Sequence, residues 1–241
     1  MKQVVSYSLY GNKPIYLLGA VRNAQEVGKY YPDWGLRFYI GRSVPRHIVK
    51  SLTDLNAQIV FESGAEDASA MFWRFQVFSD PEVERAMVRD ADSRLSIREA
   101  MAVKEWVLSG KDFHIMRDHP AHDCAILGGL WGAKAEALRG ISSMIESQVL
   151  NGCYGEDQDF LGKYIYPLAH KSSIIHDSYF SRESWAKRFP SPLENLHFVG
   201  EVYDEYDIPR KKDREVLLRV LGSRLYRYRL RIGSWWRRVT S

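Results

Sequence analysis

Apolar residues along this chain fall into short runs separated by stretches with helical spacing. Residues 4 to 9 (VVSYSL) predict a first strand, and Gly11-Asn12-Lys13-Pro14 its turn. Pro14 suits the first turn of a helix, with Ile15, Leu18 and Val21 following at helical steps. Residues 36 to 40 predict a second strand. A helix carrying Ile48, Val49, Leu52 and Leu55 follows Pro45, then a third strand over 58 to 61. A helical segment is expected over 69 to 78 and a strand over 85 to 88. Ser96 and Glu99 form a capping-box signature for a helix reaching about Ser109, with Gly110 placed to end it. Further strands are expected over 113 to 116 and 172 to 175, and a helix from about 134 to 150. This strand–helix alternation argues for an α/β fold with a mainly parallel sheet and helices on both faces.

The carboxyl ends of parallel strands are where such sheets bind ligands. The strand over 85 to 88 runs into Asp90-Ala91-Asp92, two acids whose mutual repulsion is unfavourable at a buried strand end. A D-x-D is usually a solvated turn. At a strand end, both side chains can instead point to one side of the turn and share a hard cation, Mn²⁺ or Mg²⁺, with phosphate oxygens completing the shell. A second acidic cluster, Asp157-Gln158-Asp159, starts a helical stretch, where acids also serve as plain macrodipole partners. His114, His119 and His122 with Asp118, Asp123 and Cys124 suggest zinc, but their spacing matches no established ligand set.

Composition narrows the class. Of 241 residues, 45% are hydrophobic and 27% charged, as in a globular protein with a real core. Two cysteines, Cys124 and Cys153, without CxxC spacing argue against a disulfide framework. With no apolar leader at the N-terminus and no run of membrane-spanning length, a cytoplasmic protein is expected, peripheral on the inner face of a membrane at most. The net charge of +4 is uneven: residues 210–241 hold eleven Lys or Arg against two acids, leaving about −5 for the rest. In this tail Leu217, Leu221, Leu225, Tyr228, Ile232 and Trp235 recur at three- and four-residue steps beside Arg224, Arg227, Arg231 and Arg238. The pattern fits a basic amphipathic helix over 214–238, either docked on the domain or laid on an anionic membrane. No nucleic-acid-binding motif accompanies the charge, so no nucleic-acid partner is expected.

The strand ending in Asp90-Ala91-Asp92 resembles the D-x-D motif of glycosyltransferases with the GT-A fold, a Rossmann-like nucleotide-diphospho-sugar transferase architecture. Residues 89–134, "RDADSRLSIREAMAVKEWVLSGKDFHIMRDHPAHDCAILGGLWGAK", look similar to a bacterial and viral group of glycosyltransferase-like proteins. The resemblance covers most of residues 1–205, implying a catalytic domain there and a separate tail over 206–241. "DQD" followed by a strand-end histidine resembles retaining family 8 enzymes, although "EVYDEYD" replaces that family's lysine-containing C-terminal signature after "HFVG".

The resemblance implies Asp90 and Asp92 at a divalent metal, with His176 as third ligand and His197 the alternative. It implies Asp157 and Gln158 beside the anomeric carbon, Asp118 on donor-sugar hydroxyls, and Ser8, Tyr10 and Gly11 at the nucleoside. Arg94 and Arg98 are phosphate candidates, each with a local acid as the competing partner, and Gly129 joins the donor contacts. The implied activity is transfer of a sugar, from a UDP-sugar in the first instance, to a glycan or lipid-linked acceptor in polysaccharide biosynthesis. A metal-dependent nucleotidyltransferase or phosphohydrolase, or a non-catalytic binding module, are the competing classes.

Overall fold

The computed structural model describes residues 2–223. Seven strands form one sheet: β1 (Lys2–Leu9), β2 (Trp34–Ile40), β3 (Gln58–Phe61), β4 (Val83–Val88), β5 (Phe113–Arg117), β6 (Trp131–Lys134) and β7 (Ser173–Asp177). Their spatial order is β3-β2-β1-β4-β6-β5-β7, with β6 antiparallel to both neighbours and every other pairing parallel. The α/β, Rossmann-like and mainly parallel sheet that the sequence implies is therefore present.

Alternation along each strand divides the core. Val5, Tyr7 and Leu9 of β1 pack beneath α1 (Pro14–Tyr30), α2 (Arg46–Asp54) and α3 (Ile97–Ser109). Val4 and Val88 face the other way, toward Phe75, Phe78 and Trp131. That second face is covered by a 3₁₀ helix (Ala68–Ser79), α4 (Ile141–Glu146) and α5 (Glu156–Phe160), which runs through a π-helical turn (Leu161–Ile165) into α6 (Tyr166–Ala169).

Most sequence boundaries hold within a residue or two, and two differ. The 69–78 segment is 3₁₀ rather than α-helical, and the expected helix over 134–150 is replaced by the end of β6, a 3₁₀ turn (Ala135–Leu138) and the short α4. At α3, Ser96 Oγ accepts the Glu99 N–H at 3.2 Å, and Gly110 closes the helix with φ +68°. The capping box is not reciprocal, because the Glu99 carboxylate turns inward to Arg89 Nε at 2.7 Å and Tyr31 Oη at 2.8 Å.

The chain reverses direction across the sheet at β1, which has β2 on one side and β4 on the other. The carboxyl ends of β1 and β4 thus lie side by side at a topological switch point. Beyond residue 205, α7 (Lys211–Gly222) packs on this end, with Leu217 fully buried and Arg214 Nε donating to Glu201 at 2.6 Å. The expected tail positions Leu225, Tyr228, Ile232, Trp235, Arg224, Arg227, Arg231 and Arg238 lie outside the described residues. Among those described, no helix is long and apolar enough to cross a membrane.

Candidate active site

The Asp90-Ala91-Asp92 turn is held from behind by α1. Asn23 Nδ2 donates to the carbonyls of Ala91 at 3.3 Å and Ser93 at 2.9 Å, and Gly19 leaves room for the Ala91 carbonyl where a β-carbon would collide. Ser93 Oγ donates to the Asp90 carbonyl at 3.0 Å, and the Tyr203 N–H donates to the Asp92 carbonyl at 2.9 Å. With its backbone fixed on both sides, the turn presents its acids to a cavity of about 560 Å³. Ser8, Tyr10 and Gly11 at the end of β1 line the same cavity, as do Tyr16, Arg74, Tyr154 and Arg210.

A second cavity of about 300 Å³ adjoins it, sharing Arg74, Asp90, Tyr154 and Arg210 and adding His122, Gly128, Asp157 and Gln158. The result is one cleft of two lobes with Asp90 at their junction. Arg74, which no local sequence signal marks, organises that junction. Its guanidinium is buried, with Nη1 donating to Asp90 and to the Arg89 carbonyl (3.2 Å) and Nη2 donating to Asp157 Oδ2 at 2.9 Å. Its backbone N–H donates to Ser8 Oγ at 3.0 Å, and its carbonyl accepts Ser6 Oγ at 2.7 Å. The Gly128-Gly129 pair makes room for this cluster: a β-carbon on Gly128 would collide with Asp157, and one on Gly129 with Asp90.

The two turn acids are electrostatically unlike. Asp90 shares Arg74, whereas Asp92 forms no ion pair among the described residues. Burial, followed by the neighbouring Asp90 charge, pushes the Asp92 carboxyl up to about 6. A half-buried, unpaired carboxylate beside a second one, both facing an open cavity, is a donor set that fits Mg²⁺ or Mn²⁺, with waters or phosphate oxygens as the remaining ligands.

Asp157 is also pushed up, by burial first, against the lowering effect of Arg74. Its Oδ1 accepts the Gln158 N–H at 3.0 Å, so both oxygens are engaged. Gln158 Oε1 accepts the Cys124 thiol at 3.3 Å. In His122, Nδ1 accepts the Asp118 N–H at 3.1 Å, which leaves the neutral ring's proton on Nε2, and burial keeps the ring neutral.

Other sequence candidates stand elsewhere. Asp118 is not a free sugar-binding acid: Arg98 grips it through Nε–Oδ2 and Nη2–Oδ1 contacts of 2.7 Å each, and Ser178 Oγ and the Val199 N–H complete its shell. Arg98 is correspondingly unavailable to phosphate, with Nη1 on the Ser191 carbonyl and its plane over Phe189. Arg94 lies behind the turn, paired with Asp207 at 2.7 Å and packed on Tyr203.

His176 is buried on β7, sharing a 2.9 Å hydrogen bond with His114 and a 3.1 Å contact with Glu105, so neither ring nitrogen is open to a metal. His197 pairs with Glu201 at 2.8 Å and lines neither lobe. The zinc alternative also dissolves, since His114 lies apart from His119 and His122. Among the described residues no group of three or more His, Cys, Asp or Glu is arranged to hold a metal.

No protein-family model matches the chain, and no curated protein does. Solved structures do. A glycosyltransferase involved in glycosylation of the major capsid of PBCV-1 is 16% identical with a TM-score of 0.49, over 73% of this chain and 82% of that one. A 4-diphosphocytidyl-2C-methyl-D-erythritol synthase from Anaerococcus prevotii is 9% identical with a TM-score of 0.49, over 76% and 91%. A cytidylyltransferase from Leptospira borgpetersenii is 9% identical with a TM-score of 0.49, over 77% and 80%. These are likenesses of chain path, to transferases of more than one chemistry.

Proposed function

We propose that this chain is a metal-dependent glycosyltransferase of the GT-A type, moving a sugar from a nucleotide-diphosphate sugar to a glycan or lipid-linked acceptor. The observation that carries this reading is the unpaired Asp92 beside Asp90 at the junction of a two-lobed cleft. A donor of this class has that same shape: a flat nucleoside, a diphosphate, and a polar sugar. The first lobe, with Tyr10, Gly11 and Tyr16, suits the nucleoside, and the second, with Gln158 and His122, suits the sugar.

Asp90 and Asp92 would hold Mn²⁺ or Mg²⁺. The ion, when bound, supplies Lewis-acid neutralisation of the diphosphate. Asp157 does not serve as a proton acceptor in this scheme, because Arg74 and the Gln158 N–H occupy its oxygens. Its role is a fixed negative field beside the sugar carbon that gains positive charge as the glycosidic bond breaks. The Gln158 side-chain amide and the His122 Nε2–H are donors suited to sugar hydroxyls.

The test is sugar-nucleotide turnover in Mn²⁺ by the parent and by Asp92→Asn, a near-isosteric change. Turnover is expected to fall at least about 100-fold, and UDP with Mn²⁺ should no longer raise the melting temperature of the variant. Undiminished turnover overturns the metal role. Pyrophosphate release from a nucleoside triphosphate and a sugar phosphate, without glycosyl transfer, would identify a nucleotidyltransferase instead.

A further inference from the structure

Arg210 stands at the mouth of both lobes. It belongs to the segment leading into α7, where its backbone N–H donates to the Val202 carbonyl at 2.9 Å. Its Nε donates to Asp213 Oδ2 at 2.7 Å, and His119 Nε2 lies 2.9 Å from the Asp213 carbonyl, so a short chain of contacts orients the guanidinium. Nη1 and Nη2 make no hydrogen bond among the described residues.

It lines the first lobe together with Asp92, Tyr16 and Tyr154, and its charge acts on all three. It therefore faces the junction of the lobes from the side of the unpaired acid. Arg74, the other guanidinium there, is consumed by Asp90, Asp157 and the Arg89 carbonyl. A diphosphate carries more negative charge than one divalent ion neutralises, and the cleft offers it Arg210, an oriented arginine with two idle donors, besides the Lys13 amine on the wall of the first lobe.

We infer that Arg210 clamps the donor's diphosphate, its planar fork engaging phosphate oxygens beside the Asp90–Asp92 turn. This rests on the nucleotide-sugar reading above. It makes α7 part of the active site, because the helix fixes the residue that holds the leaving group. As the bond between the anomeric carbon and the phosphate oxygen breaks, its electron pair stays on that oxygen. The acceptor hydroxyl oxygen bonds to the carbon and releases its proton to water in the open cleft. Arg210 then faces the full charge of the departing nucleoside diphosphate.

Calorimetry with UDP and with uridine, both in Mn²⁺, tests this on the parent, Arg210→Ala and Arg210→Lys. Arg210 is exposed, and Arg210→Ala is expected to melt as the parent does. Removing the guanidinium should weaken UDP about 10- to 100-fold and leave uridine unchanged, with Arg210→Lys recovering part of the loss. UDP bound as tightly by Arg210→Ala as by the parent overturns the clamp alone, and so does an equal loss for UDP and uridine. A parent that binds neither UDP, GDP nor dTDP overturns the donor reading and the clamp with it.

Discussion

Gly129 lies so close to Asp90 that a β-carbon at residue 129 would overlap the Asp90 carboxyl group. Gly129 is not in the left-handed region, so what the position requires is space rather than backbone freedom. The Gly-rich segment before β6 acts as a wall against which the first turn acid and its Arg74 partner are pressed.

Gly129→Ala is therefore expected to disturb the site and spare the fold. Asp90 can swing away from the new methyl group, breaking its contact with Arg74 and its alignment with Asp92. Mn²⁺-dependent turnover should drop at least about tenfold, while the unfolding free energy changes by less than about 1 kcal/mol. Denaturant unfolding beside an activity assay separates the two. A variant with full turnover would show that Asp90 does not need this position.

Arg74 is the opposite case, a residue on which site and fold both depend. Its pairing with Asp157 is buried on both sides, with side-chain exposures of 4% and 3%. Arg74→Met should cost about 3–5 kcal/mol in denaturant unfolding, because it strands a buried carboxylate. Asp157→Leu added to it removes that carboxylate, and the double variant should be more stable than Arg74→Met alone. A double variant no more stable than the single one would count against the stranded charge as the cause.

How far this organisation is legible in the sequence depends on how local its signals are. The parallel strands are visible because each is an apolar run bounded by turn residues, and Asp90 and Asp92 because they close one of those runs. β6 escapes notice because Trp131–Lys134 has only four residues and includes Gly132. That glycine reads as part of a loop, yet a β-carbon there would come within 2.7 Å of the Ala86 carbonyl and 3.0 Å of Trp106.

Arg74 is invisible for another reason, since its acids lie 16 and 83 residues away and nothing local marks the pairing. Arg98 and Asp118 look like site chemistry by residue type, but they lie 20 positions apart and the fold brings them together as a buried structural pair. Polar type at a strand end thus signals burial against a partner as readily as it signals a ligand.

The same ambiguity surrounds His176, and pH resolves it. Burial holds His114 well below the ordinary imidazole range, with the adjoining His176 and Arg89 adding to the effect. His176 is lowered by burial too, against the opposing pull of Glu105. With both rings neutral, His114 Nε2–H donates to His176 Nδ1 and His176 Nε2–H to Glu105, so a further proton has no favourable place. Below about pH 6.5 the unfolded chain takes up protons that the native pair refuses, so stability is fully present above that pH and is lost as pH falls. His114 adds a slope of about 1.4 kcal/mol per pH unit in that window, and His176 adds to it in the same direction. Urea unfolding from pH 8 to 5 should show this decline, and His114→Gln should flatten it by about one proton. An unchanged slope in His114→Gln would mean that His114 carries none of it.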